Sequence, residues 1–167
     1  ILRAALEQPV DFFLVEIGGT VGDLEIEIFL ESIRQLRSAL ESNFFLHGHL
    51  CYVPTLSWSG DIKTKPTQHS MIGLKRAGLV PDMLFLRTDQ LIDQRSLDTL
   101  ALYCGLTLAS MFQVLTYDPV YELFGDLDAQ GLTHKIQQHF KIASPQQANL
   151  DTWQSYVQLI KASKEPL

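Results

Sequence analysis

The stretch from Asp11 to Glu25 narrows most what this chain can fold into. It reads Asp-Phe-Phe-Leu-Val-Glu-Ile-Gly-Gly-Thr-Val-Gly-Asp-Leu-Glu. Phe12 to Val15 is short, apolar, and rich in aromatic and branched side chains. That composition suits a strand buried on both faces of a parallel sheet, expected here over Phe12–Ile17. Glu16 closes the run, and Gly18, Gly19 and Gly22 follow. A carboxylate at the C-terminal end of a buried strand sits where α/β sheets bind ligands. Glycines there let backbone approach a ligand closely or take positive φ. Asp23 and Glu25 add two carboxylates beyond the turn. From spacing alone, an ordinary Gly-rich strand-to-helix turn is an equally good reading.

Along the rest of the chain, short apolar runs alternate with helical periodicity. Ile1 to Gln8 reads as the tail of a helix stopped by Pro9. Glu25 to Glu41 reads as a helix whose apolar face is Ile28, Phe29, Ile33, Leu36 and Leu40. Phe44–Tyr52 is a second strand, ended by Pro54, with a loop over Leu56–Gly60. Ser70–Ala77 is a short helix stopped at Gly78. Met83–Arg87 is a third strand, and Arg95–Cys104 a helix with Leu97, Leu100, Ala101 and Cys104 on one face. Met111–Leu115 is a fourth strand. Tyr117–Leu123 reads as helix or turn after Asp118-Pro119. Leu127, Leu132, Ile136 and Phe140 are spaced as one helix. Ser144–Asn149 is a linker-like break, Leu150–Ala162 a last amphipathic helix through Trp153, Val157 and Ile160, and Lys161–Leu167 a frayed end. This order predicts an α/β fold with a mainly parallel sheet.

Polar groups cluster after the strand ends, at Glu16–Glu25, Lys63–His69 and Arg87–Asp89. In a parallel sheet such clusters meet at one edge. Lys63–His69 reads Lys-Thr-Lys-Pro-Thr-Gln-His, a concentrated donor array suited to phosphate oxygens. Pro66 fits the first turn of a helix, and helix N-termini favour anions. A solvated polar loop is the competing reading of the same residues. Carboxylate, lysine and hydroxyl together are the components of a magnesium-bound phosphate site.

Composition excludes several classes. With 46% apolar residues in 167, the chain is long and apolar enough for one globular domain rather than a disordered one. A formal charge of −6 gives no support for nucleic-acid binding, so any polyanion would need a local basic patch. No apolar run approaches the ~18 residues of a membrane span. Cys51 and Cys104 lie in apolar surroundings and read as buried free thiols in a reducing compartment. His47, His49 and Cys51 alternate as on a strand rather than as a zinc set. His69 is the one histidine expected near a ligand. Arg34 reads as a solvated helix residue. The chain begins with Ile1 rather than Met, as expected of a fragment or processed product.

Two motifs resemble those of CTP synthase. Glu16 to Glu25, continued by Phe29-Leu30-Glu31-Ser32-Ile33-Arg34-Gln35, is similar to a signature of that family's synthetase (amidoligase) domain. Gly60 to Ser70 (Gly-Asp-Ile-Lys-Thr-Lys-Pro-Thr-Gln-His-Ser) resembles the second. Pro81-Asp82, the run to Arg87, Ala101-Leu102-Tyr103-Cys104, Ala148-Asn149-Leu150 and Trp153 keep the family's order. The resemblance implies a partial P-loop NTPase-like three-layer domain, the C-terminal half of the synthetase domain, over residues 1–143. Residues 144–167 would be the linker and terminal helix leading out of it. It implies ATP-dependent amination of UTP to CTP, with Mg2+ as cofactor, ATP as co-substrate and ammonia from a glutaminase domain. It also implies a cytoplasmic homo-oligomer with neither nucleic-acid nor membrane partners.

By the same resemblance Glu16 is the magnesium ligand. Asp23, Glu25, Lys63, Thr64, Lys65, Pro66, Thr67 and Gln68 line the UTP/CTP site; no catalytic residue is assigned. The family's phosphate-binding glycine loop, first strand and second magnesium carboxylate would precede Ile1, and the glutaminase domain would follow Leu167. Ile26 and Ile28 stand where the family has serine and proline. Thr99 stands where a nucleotide-contacting lysine is expected, and Leu115-Thr116-Tyr117 differs from a segment that contacts the ATP adenine. A non-catalytic relative that binds nucleotide or assembles with an intact synthase is the alternative reading.

Overall fold

Three of the four expected strands pair in parallel. In the computed structural model, which describes residues 10–56, 58–143 and 149–163, β1 (Gly48–Tyr52), β2 (Met83–Thr88) and β3 (Met111–Leu115) lie in the order β1-β2-β3. The register sets Cys51 opposite Leu86 and Leu86 opposite Gln113. Side chains alternate across a strand, so Cys51, Leu84, Leu86 and Met111 share one face. Helices α2 (Lys65–Arg76) and α3 (Gln94–Cys104) cover that face with Met71, Leu100 and Cys104. Leu84, Leu86 and Leu100 are fully buried, each contributing about 1.5–3 kcal/mol. On the opposite face Phe85 stacks on Phe112 at 5.5 Å, while Leu50 and Tyr52 of β1 are exposed.

Local chemistry sets the helix ends. Pro66 sits in the first turn of α2, where a missing N–H costs nothing. Gly78, at φ 77°, ends α2, with its N–H donating to Lys75 O and the Leu79 N–H to Leu74 O, and Leu74 and Leu79 share a cluster. The Asp93 carboxylate caps α3 by accepting from the Ser96 N–H at 2.9 Å, and left-handed Gly105 closes it. At the outer edge of β3, the Gln130 side chain accepts from the Gln113 N–H at 2.7 Å and donates to its carbonyl at 2.8 Å. It thereby stands in for a neighbouring strand.

Four expectations are corrected. Residues 12–17 form no strand: Phe12, Phe13, Leu14 and Val15 are exposed, Leu14 at 91%. No strand of the sheet pairs with them, so the apolar run lacks the ladder that would bury both faces; Phe12 instead meets Phe140 edge-on at 5.3 Å. Helix α1 (Glu27–Ala39), entered through a short 3-10 turn at Leu24–Ile26, buries Ile26 and Leu30 rather than Ile28 and Phe29. It docks on Leu74 and Leu79, and at ~100° per residue Ile28 points about 200° away from Ile26. Strand β1 starts at Gly48, because Ser42–Phe44 takes a 3-10 turn. The single helix expected through Leu127 and Phe140 is two, α4 (Leu123–Ala129) and α5 (Leu132–His139), broken at Gly131 with φ 87°.

The last helix, α6 (Asp151–Ala162), buries Val157 and lies close to the expected boundaries. The expected helix tail at Ile1–Gln8 and most of the break at Ser144–Asn149 lie outside the described residues. No helix among the described residues is long and apolar enough to cross a membrane. Both cysteines are buried and free, and burial pushes the Cys51 thiol up to about 11. Arg34 forms a two-point pair with Glu31 at 2.6 and 2.7 Å on the helix surface.

A polar knot closes the N-terminal edge of the sheet. Arg37 of α1 donates to both Asp82 oxygens at 2.9 Å, and the His47 N–H donates to the same carboxylate. His139 lies 2.9 Å from the Phe45 carbonyl, and His49 2.9 Å from the Ser70 hydroxyl. His47 Nδ1 is buried and has no hydrogen-bond partner among the described residues. Burial, then the neighbouring His49, pushes the His47 imidazole down to about 4 from 6.5. The unfolded chain therefore takes up this proton first as pH falls. The stability is whole above about 6.5 and declines toward pH 4. Unfolding free energy should drop by about 1–2 kcal/mol between pH 7 and pH 5. His47→Gln should flatten that slope in urea titrations; an unchanged slope would contradict this account.

Candidate functional site

Parallel strands leave the sheet at a common carboxyl edge, and Asp89 gathers that edge. Its carboxylate accepts from the Tyr52 hydroxyl at 3.2 Å and the Thr116 hydroxyl at 3.1 Å, so residues following or ending all three strands meet on one side chain. The Asp89 charge in turn raises the Tyr52 phenol. Beyond β1, an isolated antiparallel bridge joins Thr55 to Ile62, with Gly60 at φ 70° turning the loop. The Lys63 N–H donates to Pro54 O at 2.9 Å, which carries Lys63 back toward the sheet edge. Beyond β2, residues 89–93 lead into α3. Gln90 bridges the two loops by donating to Gly60 O at 2.9 Å.

Between these loops lies an open polar groove of about 710 Å³. Gly60, Asp61, Ile62 and Lys63 form one wall; Gln90, Leu91, Asp93, Arg95 and Ser96 form the other. Lys63 donates to Asp61 at 3.3 Å. The Ser59 hydroxyl and Lys63 hold the Asp61 carboxyl below its ordinary range, and Ser96 does the same for Asp93. Both acids therefore stay ionised with donors already engaged. The groove offers cations, amide and hydroxyl to a ligand, in a position where α/β sheets take ligands.

The remaining expected site residues are distributed around it. Thr64 precedes α2, and its hydroxyl accepts from the Gln68 amide at 3.1 Å. Lys65 and Pro66 are exposed in the first turn of α2, and His69 is exposed half a turn or more further on. Thr67 is fully buried, with its hydroxyl 3.5 Å from Tyr52 O, so it joins α2 to β1. The Glu16–Glu25 stretch meets α2 further along its length. Val21 packs on α2 at Gly73, where an added Cβ would lie 2.9 Å from Val21 Cγ1. Gly73 is eight residues past Lys65, about 12 Å along the helix axis. No hydrogen bond or ion pair among the described residues links Glu16, Asp23 or Glu25 to Lys63 or Lys65. Residues 12–17 do not join the sheet, so the stretch that follows them is not one of its strand-to-helix loops.

Within the glycine stretch, Asp23 accepts from the Thr20 N–H at 3.3 Å. An added Cβ at Gly18 would lie 3.6 Å from the Glu16 carboxylate. No group of three or more His, Cys, Asp or Glu side chains suited to a metal ion occurs among the described residues.

Gln90, Asp93 and Arg95 escaped the sequence reading. The loop rule could have found them, since consecutive strand-to-helix loops of a parallel sheet face each other. A second, smaller cleft of about 350 Å³ lies between Tyr117–Asp126 and α6, lined by Tyr117, Tyr121 and Trp153 among others. Burial, with a hydrogen bond to Asp126, pushes the Tyr117 phenol up to about 12.

Fold and groove define an α/β protein with an open polar groove at the carboxyl edge of a parallel sheet. Comparison with known proteins narrows this. The family described as CTP synthase N-terminus matches residues 1–142. CTP synthase of Phytoplasma australiense is 37% identical over 165 residues, covering 99% of this chain and 30% of that protein. That of Halalkalibacterium halodurans is 35% identical over 161 residues, 96% of this chain and 30% of its own length. That of Rhodospirillum rubrum is 37% identical over 151 residues, 90% and 28% respectively. The chain belongs to the CTP synthase family and corresponds to its N-terminal region. It spans about 30% of the length of the curated relatives it matches.

The glycine stretch yields a stability test. Gly19 takes φ 113°, and a Cβ there would fall 2.6 Å from Ile26 Cγ2; Gly60 takes φ 70° with open space around it. Gly19→Ala should cost about 2–4 kcal/mol by combining backbone strain with the clash, and Gly60→Ala about 1–2 kcal/mol from strain alone. Equal losses in urea unfolding would show that Gly19 is not held against Ile26.

Proposed function

We propose that this chain is the pyrimidine-nucleotide half of a CTP synthase site, taking part in ATP-dependent amination of UTP to CTP. Within the family's N-terminal region it reads as the second half of a P-loop NTPase-like, three-layer synthetase domain, over residues 1–143, with 144–167 leading out of it. The observation that carries this reading is Lys63 on the wall of the carboxyl-edge groove, within a segment that resembles the family's Lys-Thr-Lys-Pro-Thr-Gln signature.

The chain's own residues would act by binding and orientation. Lys63 and Lys65 neutralise polyphosphate oxygens. The Thr64 hydroxyl and the Gln68 amide, already joined to each other, present polar atoms at the mouth of α2. Pro66 holds the first turn, and Thr67 fixes that turn against β1. Asp23 and Glu25 are the acids proposed to contact the pyrimidine nucleotide. Phosphoryl transfer depends on positioning and electrostatic stabilisation more than on covalent protein chemistry. Magnesium of this kind is held by one or two carboxylates with substrate phosphates and water completing the shell. The exposed Glu16 carboxylate fits that role. When bound, the ion would offset negative charge on the transferring phosphoryl group. ATP as co-substrate, ammonia from a glutaminase domain, a homo-oligomeric state and a cytoplasmic location, to which the two buried free thiols are suited, belong to the same reading.

One observation favours a second reading, a non-catalytic relative that binds nucleotide or assembles with an intact synthase. Thr99, where the family resemblance expects a lysine, donates its hydroxyl to Arg95 O at 2.8 Å and presents no charge. Co-assembly of this chain with an intact synthase in size-exclusion chromatography would support that reading, and separate elution would count against it.

UTP with Mg2+ at a hundredfold excess over Kd should raise the melting temperature by about 5–10 °C. Lys63→Ala or Lys65→Ala should abolish the shift. A parent chain whose melting temperature does not move would refute nucleotide binding.

A further inference from the structure

The groove wall opposite Lys63 carries a cation that the nucleotide reading above leaves unassigned. Arg95 is the second residue of α3, exposed, and lines the groove together with Lys63. Its guanidinium has no hydrogen-bond or ion-pair partner among the described residues. The acids nearby are engaged: Asp61 by Lys63 and Ser59, and Asp93 by the Ser96 N–H and hydroxyl and the Arg95 main-chain N–H. The first turn of α3 contains no carboxylate.

A cation in the first turn of a helix faces the positive end of the macrodipole, which disfavours it. An anion in the groove reverses that balance. It would meet the guanidinium and the Lys63 ammonium together, near the positive end of α3. The Gln90–Gly60 hydrogen bond joins the two walls, and both cations line the one groove between them. One turn further along α3, Thr99 is uncharged and bonded to the backbone. On this helix, the positive charge available to the groove comes from Arg95.

We propose that Arg95 is a second polyphosphate-binding residue, pairing with Lys63 across the groove to seat the phosphates of a pyrimidine nucleoside triphosphate. The inference rests on the nucleotide reading given under Proposed function. A planar guanidinium can take two phosphate oxygens at once, whereas a lysine acts as a point charge. Arg95 therefore governs affinity for the phosphates and contributes nothing to recognition of the base or ribose.

The test is calorimetric titration of the full chain and its Arg95→Ala, Arg95→Lys and Lys63→Ala variants with UTP, UMP and uridine, each with Mg2+. Arg95→Ala should weaken UTP binding about tenfold or more, as expected for loss of a charge-assisted hydrogen bond. Arg95→Lys should recover part of that loss, and uridine should bind the parent and Arg95→Ala equally. The unliganded Arg95 variants should melt at or slightly above the parent temperature, since Arg95 is exposed, unpaired and at the positive end of α3; Arg95→Gln replaces Arg95→Ala if the latter does not fold. If Lys63→Ala weakens UTP and Arg95→Ala does not, the role of Arg95 is refuted while the nucleotide reading stands. If the parent binds no UTP, the nucleotide reading fails and this inference fails with it.

Discussion

Parallel pairing of β1 and β3 onto β2 is the constraint on which the rest depends. An antiparallel partner would send one strand-to-helix loop to the opposite edge. With all three strands parallel, the Pro54–Thr64 and Asp89–Asp93 loops leave the sheet together, and Asp89 can accept hydroxyls from both Tyr52 and Thr116. The same pairing sends α2 and α3 back over one face, where Met71, Leu100 and Cys104 meet Leu84 and Leu86. The groove is thus a consequence of topology. The titrating histidines His47 and His49 lie near the opposite, amino edge, so their protonation affects stability away from the groove.

Charge operates locally here. The chain is acidic overall, at −6, yet its groove presents Lys63 and Arg95 while Asp61 and Asp93 are already bonded to donors. An engaged carboxylate still repels an anion. Its effect is reduced where a cation or N–H group lies against it, and in open solvent the residual field is screened within about 10 Å. A polyanion recognised by such a surface depends on the few nearest cations, which is why single lysine and arginine substitutions carry the tests of function.

The sequence made the sheet centre and α3 readable because each carried two agreeing signals. Met83–Leu86 is a continuous apolar run between Pro81-Asp82 and the polar Arg87-Thr88, as a strand covered on both faces requires. Arg95–Cys104 has an apolar stripe and a terminal glycine. Phe12–Ile17 carried composition alone. Strand formation needs a partner ladder, which a run cannot specify by itself, and in this structure no strand pairs with it. For α1, Ile26, Ile28, Phe29 and Leu30 offered several apolar arcs, and contact with Leu74 and Leu79 selected one. Gly131 broke a periodicity that reads evenly through Leu127, Leu132 and Ile136. In the groove, Lys63 was visible through its motif, whereas Arg95 was hidden: an arginine near a helix start reads as surface until the facing loop is known.

The central claim is that a pyrimidine nucleotide seats between the Lys63 loop and the first turn of α3. Amide chemical-shift mapping of the full chain during titration with UTP and Mg2+ tests it most directly. The account predicts saturable shifts concentrated at residues 60–68 and 90–96. Shifts confined to the Tyr117–Asp126 and α6 cleft, or no shifts at saturating nucleotide, would contradict it.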